Sequence, residues 1–135
     1  MTSSEIAFRV RYNEVDRMGY AHHGNYAAYF EMGRTELMRE HGLNYKEMED
    51  KGILLPLSDF KVKYFQPAFY DDELRLVTIL EKFTGVRLVF CYRLYNKKNL
   101  LLSEGSTSLA FVSASTGKPV RPSEEILEKL RICMA

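Results

Sequence analysis

Asp16 is the side chain whose type and surroundings could do chemistry. It sits in the stretch Arg11-Tyr12-Asn13-Glu14-Val15-Asp16-Arg17-Met18-Gly19-Tyr20-Ala21-His22-His23-Gly24-Asn25-Tyr26, a polar loop containing glycine, seven residues before a long amphipathic pattern begins. A carboxylate can attack a carbonyl carbon or activate a water molecule. The free N–H groups at a helix N-terminus can hold the oxyanion that results. A loop carboxylate that only makes a turn is the plainer reading of the residue by itself. What separates the two is whether the chain brings Asp16 and the helix start to one place.

The elements that would do so are legible as patterns. Residues 5–12 alternate, with Ile6, Phe8, Val10 and Tyr12 on one side, predicting a half-buried strand. The loop 13–23 follows, and Asn25 is a candidate helix cap. Tyr26, Tyr29, Phe30, Gly33 and Leu37 then recur at helical spacing, which makes Tyr26 and Tyr29 core or interface residues. Glu31, Thr35, Glu36, Arg39 and Glu40 fall on the other faces, and Glu31 with Arg34 reads as a surface ion pair. His41-Gly42 supplies a stop, and a shorter helix is expected at about 44–51. Gly33 on the apolar side predicts a close approach between helix and sheet, since an exposed helical glycine would cost about 1 kcal/mol against alanine.

Beyond this helix the period changes to two. Strands are predicted at 54–65, 72–82, 85–96 and 100–113, separated by Gln66-Pro67, Thr84-Gly85 and Asn96-Lys97-Lys98-Asn99. Val86, Leu88, Phe90, Tyr92 and Leu94 form the apolar side of the third of these. Short turns between consecutive strands predict antiparallel pairing. Ser123 should cap a final short helix opening with Glu124 and Glu125. A sheet curled around one helix is the implied shape, with residues 1–135 as a single domain.

Composition narrows the function. A hydrophobic content of 46% supports a real core, and a formal net charge of +1 gives no reason to expect nucleic acid or an anionic membrane surface as partner. The N-terminus lacks a basic segment followed by an apolar run, and the apolar runs are far short of the roughly 20 residues that span a bilayer. A cytoplasmic protein without membrane insertion is expected. Cys91, within a strand-like run, reads as a small buried hydrophobe, and Cys133 as incidental. The pair His22-His23 does not suggest a metal site, because adjacent side chains diverge and no ligand set completes it. No metal and no cofactor is expected.

The order of strand, Asp-bearing loop, long helix and strands resembles the hotdog fold, an α+β architecture in which an antiparallel five-stranded sheet wraps around one long central helix. The residues resemble the 4-hydroxybenzoyl-CoA thioesterase family, and especially its bacterial Tol–Pal-associated acyl-CoA thioesterases. That branch carries Tyr-x-Asp-Thr-Asp-x-x-Gly-x-x-x-His-x-Asn-Tyr and then Glu-x-x-Arg, matched here by Tyr12, Asp16, Gly19, His23, Asn25, Tyr26, Glu31 and Arg34. Val62-Lys63-Tyr64-Phe65-Gln66-Pro67-Ala68 and Asp71-Asp72-Glu73-Leu74 resemble its stretch between the second and third strands. Glu14 and Val15 depart from the family's Asp and Thr, and Tyr20 and Ala21 replace a more aliphatic pair.

The resemblance implies thioester hydrolysis, with Asp16 as nucleophile or general base. It implies an oxyanion and substrate site at the start of the helix, formed by His23, Gly24, Asn25 and Tyr26. Asn25 has a second role open to it, as a brace of the catalytic loop. For Glu31 and Arg34 the resemblance implies interface or pocket positions. Lys61, Lys63, Arg87, Lys97 and Lys98 are candidates for the CoA phosphates, with a solvated rim as the plainer reading of each. The implied partners are acyl-CoA or an acyl-carrier protein, and a second copy of the chain, in a homodimer or dimer of dimers (a homotetramer). A dehydratase of the same fold would need a His-Phe-Pro-like loop, which is absent. A non-catalytic acyl-thioester or carrier-protein binding module is the alternative from another class.

Overall fold

The computed structural model describes residues 2–134. β1 (Ser3–Arg9) leads into a short 3-10 turn (Tyr12–Glu14), the loop, and a second 3-10 turn (His23–Asn25). That turn runs directly into α1 (Tyr26–Glu40), followed by α2 (Tyr45–Asp50). The remainder comprises β2 (Ile53–Leu54), β3 (Leu57–Tyr64), β4 (Glu73–Phe83), β5 (Arg87–Asn96), β6 (Leu101–Ala110), β7 (Val112–Ser113) and α3 (Glu124–Met134). Five strands form one antiparallel sheet in the order β1-β4-β5-β6-β3, while β2 and β7 pair separately. This is the expected hotdog arrangement.

The core lies between α1 and the inner face of the sheet. Tyr26, Tyr29, Phe30, Leu37 and Met38 of α1 are buried against Leu74, Leu76 and Leu80 of β4 and Leu88, Phe90, Tyr92 and Leu94 of β5. The rings of Phe30 and Tyr92 stack with centroids 4.3 Å apart. Gly33 is where helix and sheet meet: a Cβ there would fall 2.8 Å from Leu76 Cδ2 and onto Thr78 Oγ1. The predicted close approach is real, and only a missing side chain permits it.

The stops and caps follow local chemistry. Gly42 adopts φ +75° after α1. Asn44 Oδ1 accepts the N–H groups of Lys46 and Glu47 at 2.8 and 3.3 Å, starting α2. Ser123 accepts the Ile126 N–H at 3.4 Å, starting α3.

Several expectations change. The first strand stops at Arg9 rather than residue 12, because the Glu14 side chain draws the Arg11 backbone into a turn, and Tyr12 points to solvent. Strand 54–65 is broken at Leu55-Pro56, and 100–113 divides between β6 and β7. β3 does not pair with its successor β4. It crosses to the far edge and joins β6, with Phe60 opposite Thr107. Cys91 faces outward, half-buried, with its thiol donating to Glu81 Oε2 at 2.8 Å, and Cys133 is a core residue on the buried face of α3. Arg34 is buried rather than a surface partner of Glu31, with Tyr92 and Tyr45 as neighbours. Among the described residues no helix is long and apolar enough to cross a membrane.

Candidate active site

The loop carrying Asp16 is closed on itself by backbone bonds. Asp16 N–H donates to the Tyr20 carbonyl at 2.8 Å, and Gly19 N–H to the Asp16 carbonyl at 3.0 Å. Gly19 takes φ +81°, a conformation that glycine adopts without strain. The carboxylate takes part in the same turn: its Oδ1 accepts the Met18 N–H at 2.9 Å and the Tyr20 N–H at 3.2 Å. Two donors on one oxygen fix the orientation of the group. Among the described hydrogen bonds Oδ2 has none.

Asp16 lines a cleft of about 440 Å³ together with His23, Tyr26, Tyr64, Phe65 and Gln66, among others. The acid and the start of α1 therefore border one space. Aromatic rings form much of its wall, with Tyr26 and Tyr64 edge to face at 4.9 Å. Burial, then the neighbouring Tyr64, push the Tyr26 hydroxyl up to about 12, so it stays neutral and donates rather than ionising.

The helix start differs from expectation in detail. Asn25 is not a side-chain cap, and instead its Nδ2 donates to the Glu14 carbonyl at 2.7 Å. His22 caps the preceding 3-10 turn, its Nδ1 accepting the Gly24 N–H at 3.1 Å. The Asn25 N–H goes to the His22 carbonyl and the Tyr26 N–H to the His23 carbonyl. Of the four amides from 23 to 26, only that of His23 is outside these turn bonds. The His22 and His23 rings do not diverge, and their centroids lie 4.2 Å apart. Among the described residues no His, Cys, Asp and Glu side chains group as a metal site.

Glu14 was visible in the sequence only as a departure from a motif, yet it is the most connected residue of the loop. Its side chain is 7% exposed and pairs with the Arg11 guanidinium at 2.8 Å. Burial alone would raise its pKa. The Arg11 N–H, the Arg11 guanidinium and the Tyr29 hydroxyl outweigh that and hold the carboxyl below its ordinary value. A carboxyl lowered in this way stabilises the folded loop above its unfolded pKa, and that contribution disappears as pH falls through the depressed one.

The five cationic candidates do not all gather in one place. Lys63 lies 5.4 Å from the centre of the Phe65 ring and so flanks the cleft. Lys61 pairs loosely with Asp59 at 3.7 Å. Arg87 begins β5 whereas Lys97 and Lys98 follow its end, about 30 Å away at strand rise. A larger cavity, about 620 Å³, opens on the sheet face opposite α1 between Lys61, Lys63, Cys91, Arg93 and Glu104. It contains neither Asp16 nor a helix start. Burial, then the Glu81 carboxylate, push its one thiol, Cys91, up to about 12, which leaves it un-ionised at neutral pH.

Comparison with known proteins bears on the family and the fold. Residues 10–130 match the model of the thioesterase-like superfamily. The chain is 32% identical over 111 residues to the acyl-CoA thioester hydrolase YbgC of Escherichia coli O157:H7, covering 82% of this chain and 83% of that one. It is 29% identical over 121 residues to the acyl-CoA thioesterase YbgC of Haemophilus influenzae, covering 87% of each. Among solved structures, a DHNA-CoA thioesterase from Staphylococcus aureus superposes with a TM-score of 0.91 at 34% identity, over 98% of this chain and 93% of the other.

Proposed function

Since the chain belongs to the thioesterase-like superfamily, we propose that it is an acyl-CoA thioesterase, cleaving acyl-CoA to free acid and CoA with Asp16 as the reacting carboxylate. The observation that carries this is the shared cleft: Asp16 and the start of α1 line the same cavity. In one route an Asp16 oxygen attacks the thioester carbonyl carbon, CoA leaves as thiolate, and water cleaves the mixed anhydride, restoring Asp16 and releasing the acid. In the other, Asp16 takes a proton from water, which attacks the carbonyl directly; the C–S bond then breaks and CoA leaves as the thiol, taking the proton back from Asp16. In both, the carbonyl oxygen becomes an oxyanion at the start of α1. The His23 amide is the donor nearest to hand. The Gly24 amide joins it when the His22 ring releases that N–H. Loss of one such donor typically costs about 3–4 kcal/mol of transition-state stabilisation. Tyr26, with Tyr64 and Phe65, supplies an apolar wall for the acyl group.

The functional unit in this reading is a homodimer, itself paired in a dimer of dimers. β3 is an edge strand, and Leu57, Tyr64 and Phe65 on or beside it are each more than 40% exposed. An uncovered edge with apolar side chains invites another strand. Residues 64–67 continue from that edge into the cleft, so a second copy added there would border Asp16. Lys63, beside Phe65, is the cation best placed for a CoA phosphate. Sedimentation is expected to give a dimer or a multiple of it, and a monomer with full activity would remove this part of the reading.

Within the superfamily we assign the chain to the Tol–Pal-associated branch of the 4-hydroxybenzoyl-CoA thioesterases, on the Asp16…Gly19…His23-x-Asn25-Tyr26 spacing. The reading takes the whole chain as one domain acting in the cytoplasm, without cofactor, on CoA esters or acyl-carrier-protein esters. The test is release of free thiol from CoA esters, from acetyl to palmitoyl, together with benzoyl and 4-hydroxybenzoyl. Turnover on at least one of them is expected. Tight binding of these esters without thiol release would favour a binding module instead.

A further inference from the structure

The catalytic reading leaves unexplained why a carboxylate is buried two residues before Asp16. Glu14 Oε1 accepts the Arg11 N–H at 2.8 Å and the Tyr29 hydroxyl at 3.0 Å. Its Oε2 accepts the Arg11 Nε and a terminal guanidinium nitrogen at 3.0 and 2.8 Å. Tyr29 belongs to the buried face of α1, so the side chain anchors the loop to the helix wall. The Glu14 carbonyl accepts two more donors, His22 N–H and Asn25 Nδ2, each at 2.7 Å. One residue thus ties the strand exit at Arg11, the first turn of α1 through Tyr29, and the 3-10 turn through His22 and Asn25.

We infer that Glu14 is the positioning residue that fixes the separation between the Asp16 carboxylate and the amide donors at the start of α1. This deepens the proposed function and rests on it. Glu14 does not line the cleft and touches no substrate. It acts through the two groups it holds. Its bonds reach the helix start directly, where His22 and Asn25 bracket His23 and Gly24, and they fix the chain only two residues before Asp16. A reacting group displaced by about 1 Å can lose roughly a hundredfold in rate. A brace of this kind therefore governs turnover without governing affinity.

Two variants test it. Glu14→Gln keeps the shape and removes the charge that Arg11 and Tyr29 recognise. Tyr29→Phe keeps the buried ring and removes one bond to Glu14. In steady-state hydrolysis, Glu14→Gln is expected to lower kcat roughly 10- to 100-fold with KM unchanged within about twofold, and Tyr29→Phe to lower kcat by less in the same pattern. Amide hydrogen exchange supplies a readout independent of turnover. In both variants the amides of His22, Gly24 and Asn25 should lose protection while those of β4 and β5 keep it.

Parent-like kcat in both variants would overturn the inference. So would a rise in KM matching the fall in kcat, or loss of protection spread evenly through the sheet. If Glu14→Gln does not fold, Tyr29→Phe decides by the same criteria. A parent enzyme that hydrolyses no thioester overturns the functional reading instead, and is recognised by the absence of turnover before any substitution is made.

Discussion

Asp16→Ala is expected to lower kcat about a thousandfold while KM and the melting transition stay close to those of the parent. The physical reason is local. The Asp16 side chain is on a solvent-facing loop whose backbone bonds, from Asp16 N–H to Tyr20 and from Gly19 N–H to Asp16, do not need the carboxylate. Only the two Oδ1 bonds to Met18 and Tyr20 are lost. Asp16→Asn preserves an acceptor for those two amides and so isolates the loss of the reactive charge. Its rate should fall nearly as far. The two mechanistic routes separate in a single-turnover reaction run in heavy-oxygen water with enzyme in excess. A nucleophilic route can leave label in the Asp16 carboxylate, and a general-base route cannot. Equal turnover by parent and both variants across the acyl-CoA panel would remove Asp16 from the chemistry.

The second large effect concerns stability. Gly105 of β6 lies under α1, and a Cβ there would fall 2.6 Å from Phe30 Cε2 and onto the backbone carbonyl of Lys61. Phe30 is fully buried and stacked on Tyr92, so it cannot retreat without disturbing the centre of the core. The Lys61 carbonyl belongs to the neighbouring strand. Gly105→Ala is therefore expected to destabilise by about 3 kcal/mol, the upper part of the range for overpacking. Gly33→Ala meets Leu76 and Thr78 side chains, which can give more readily. The helix also gains about 1 kcal/mol from alanine, so its net loss should be smaller. Urea unfolding with an unchanged slope checks both. If Gly105→Ala is as stable as the parent, the helix does not press on β6 as described.

These two glycines also mark what could be read beforehand. Gly33 was legible because it interrupts an apolar helical stripe, a place where glycine has a cost and so needs a reason. Gly105 was not, since Ser103-Glu104-Gly105-Ser106 carries no apolar period and the close neighbour, Phe30, is 75 residues away in the chain. The same distinction runs through the site. Asp16 beside a helix start could be seen in a single stretch, as could the cap at Ser123. The function of Glu14 could not, because its value depends on Tyr29 arriving from the helix wall. Asn25 had the right residue type for a cap, but the Glu14 carbonyl offered its side chain a partner, and α1 starts without a side-chain cap. Tyr64 and Phe65 reach the cleft only because β3 crosses to the far edge of the sheet, which adjacent strands in sequence did not foretell.

That crossing has a consequence for how the chain is made. Leu57 pairs with Leu109, and Tyr64 with Ser103, so β3 has no neighbour until β6 exists. On a ribosome the segment emerges early and waits, with an open backbone edge, while some forty more residues are translated. Distant pairing of this kind slows folding and leaves nascent chains open to clumping. The Lys61 and Lys63 charges that interrupt this strand serve, during that interval, as its protection against its own siblings.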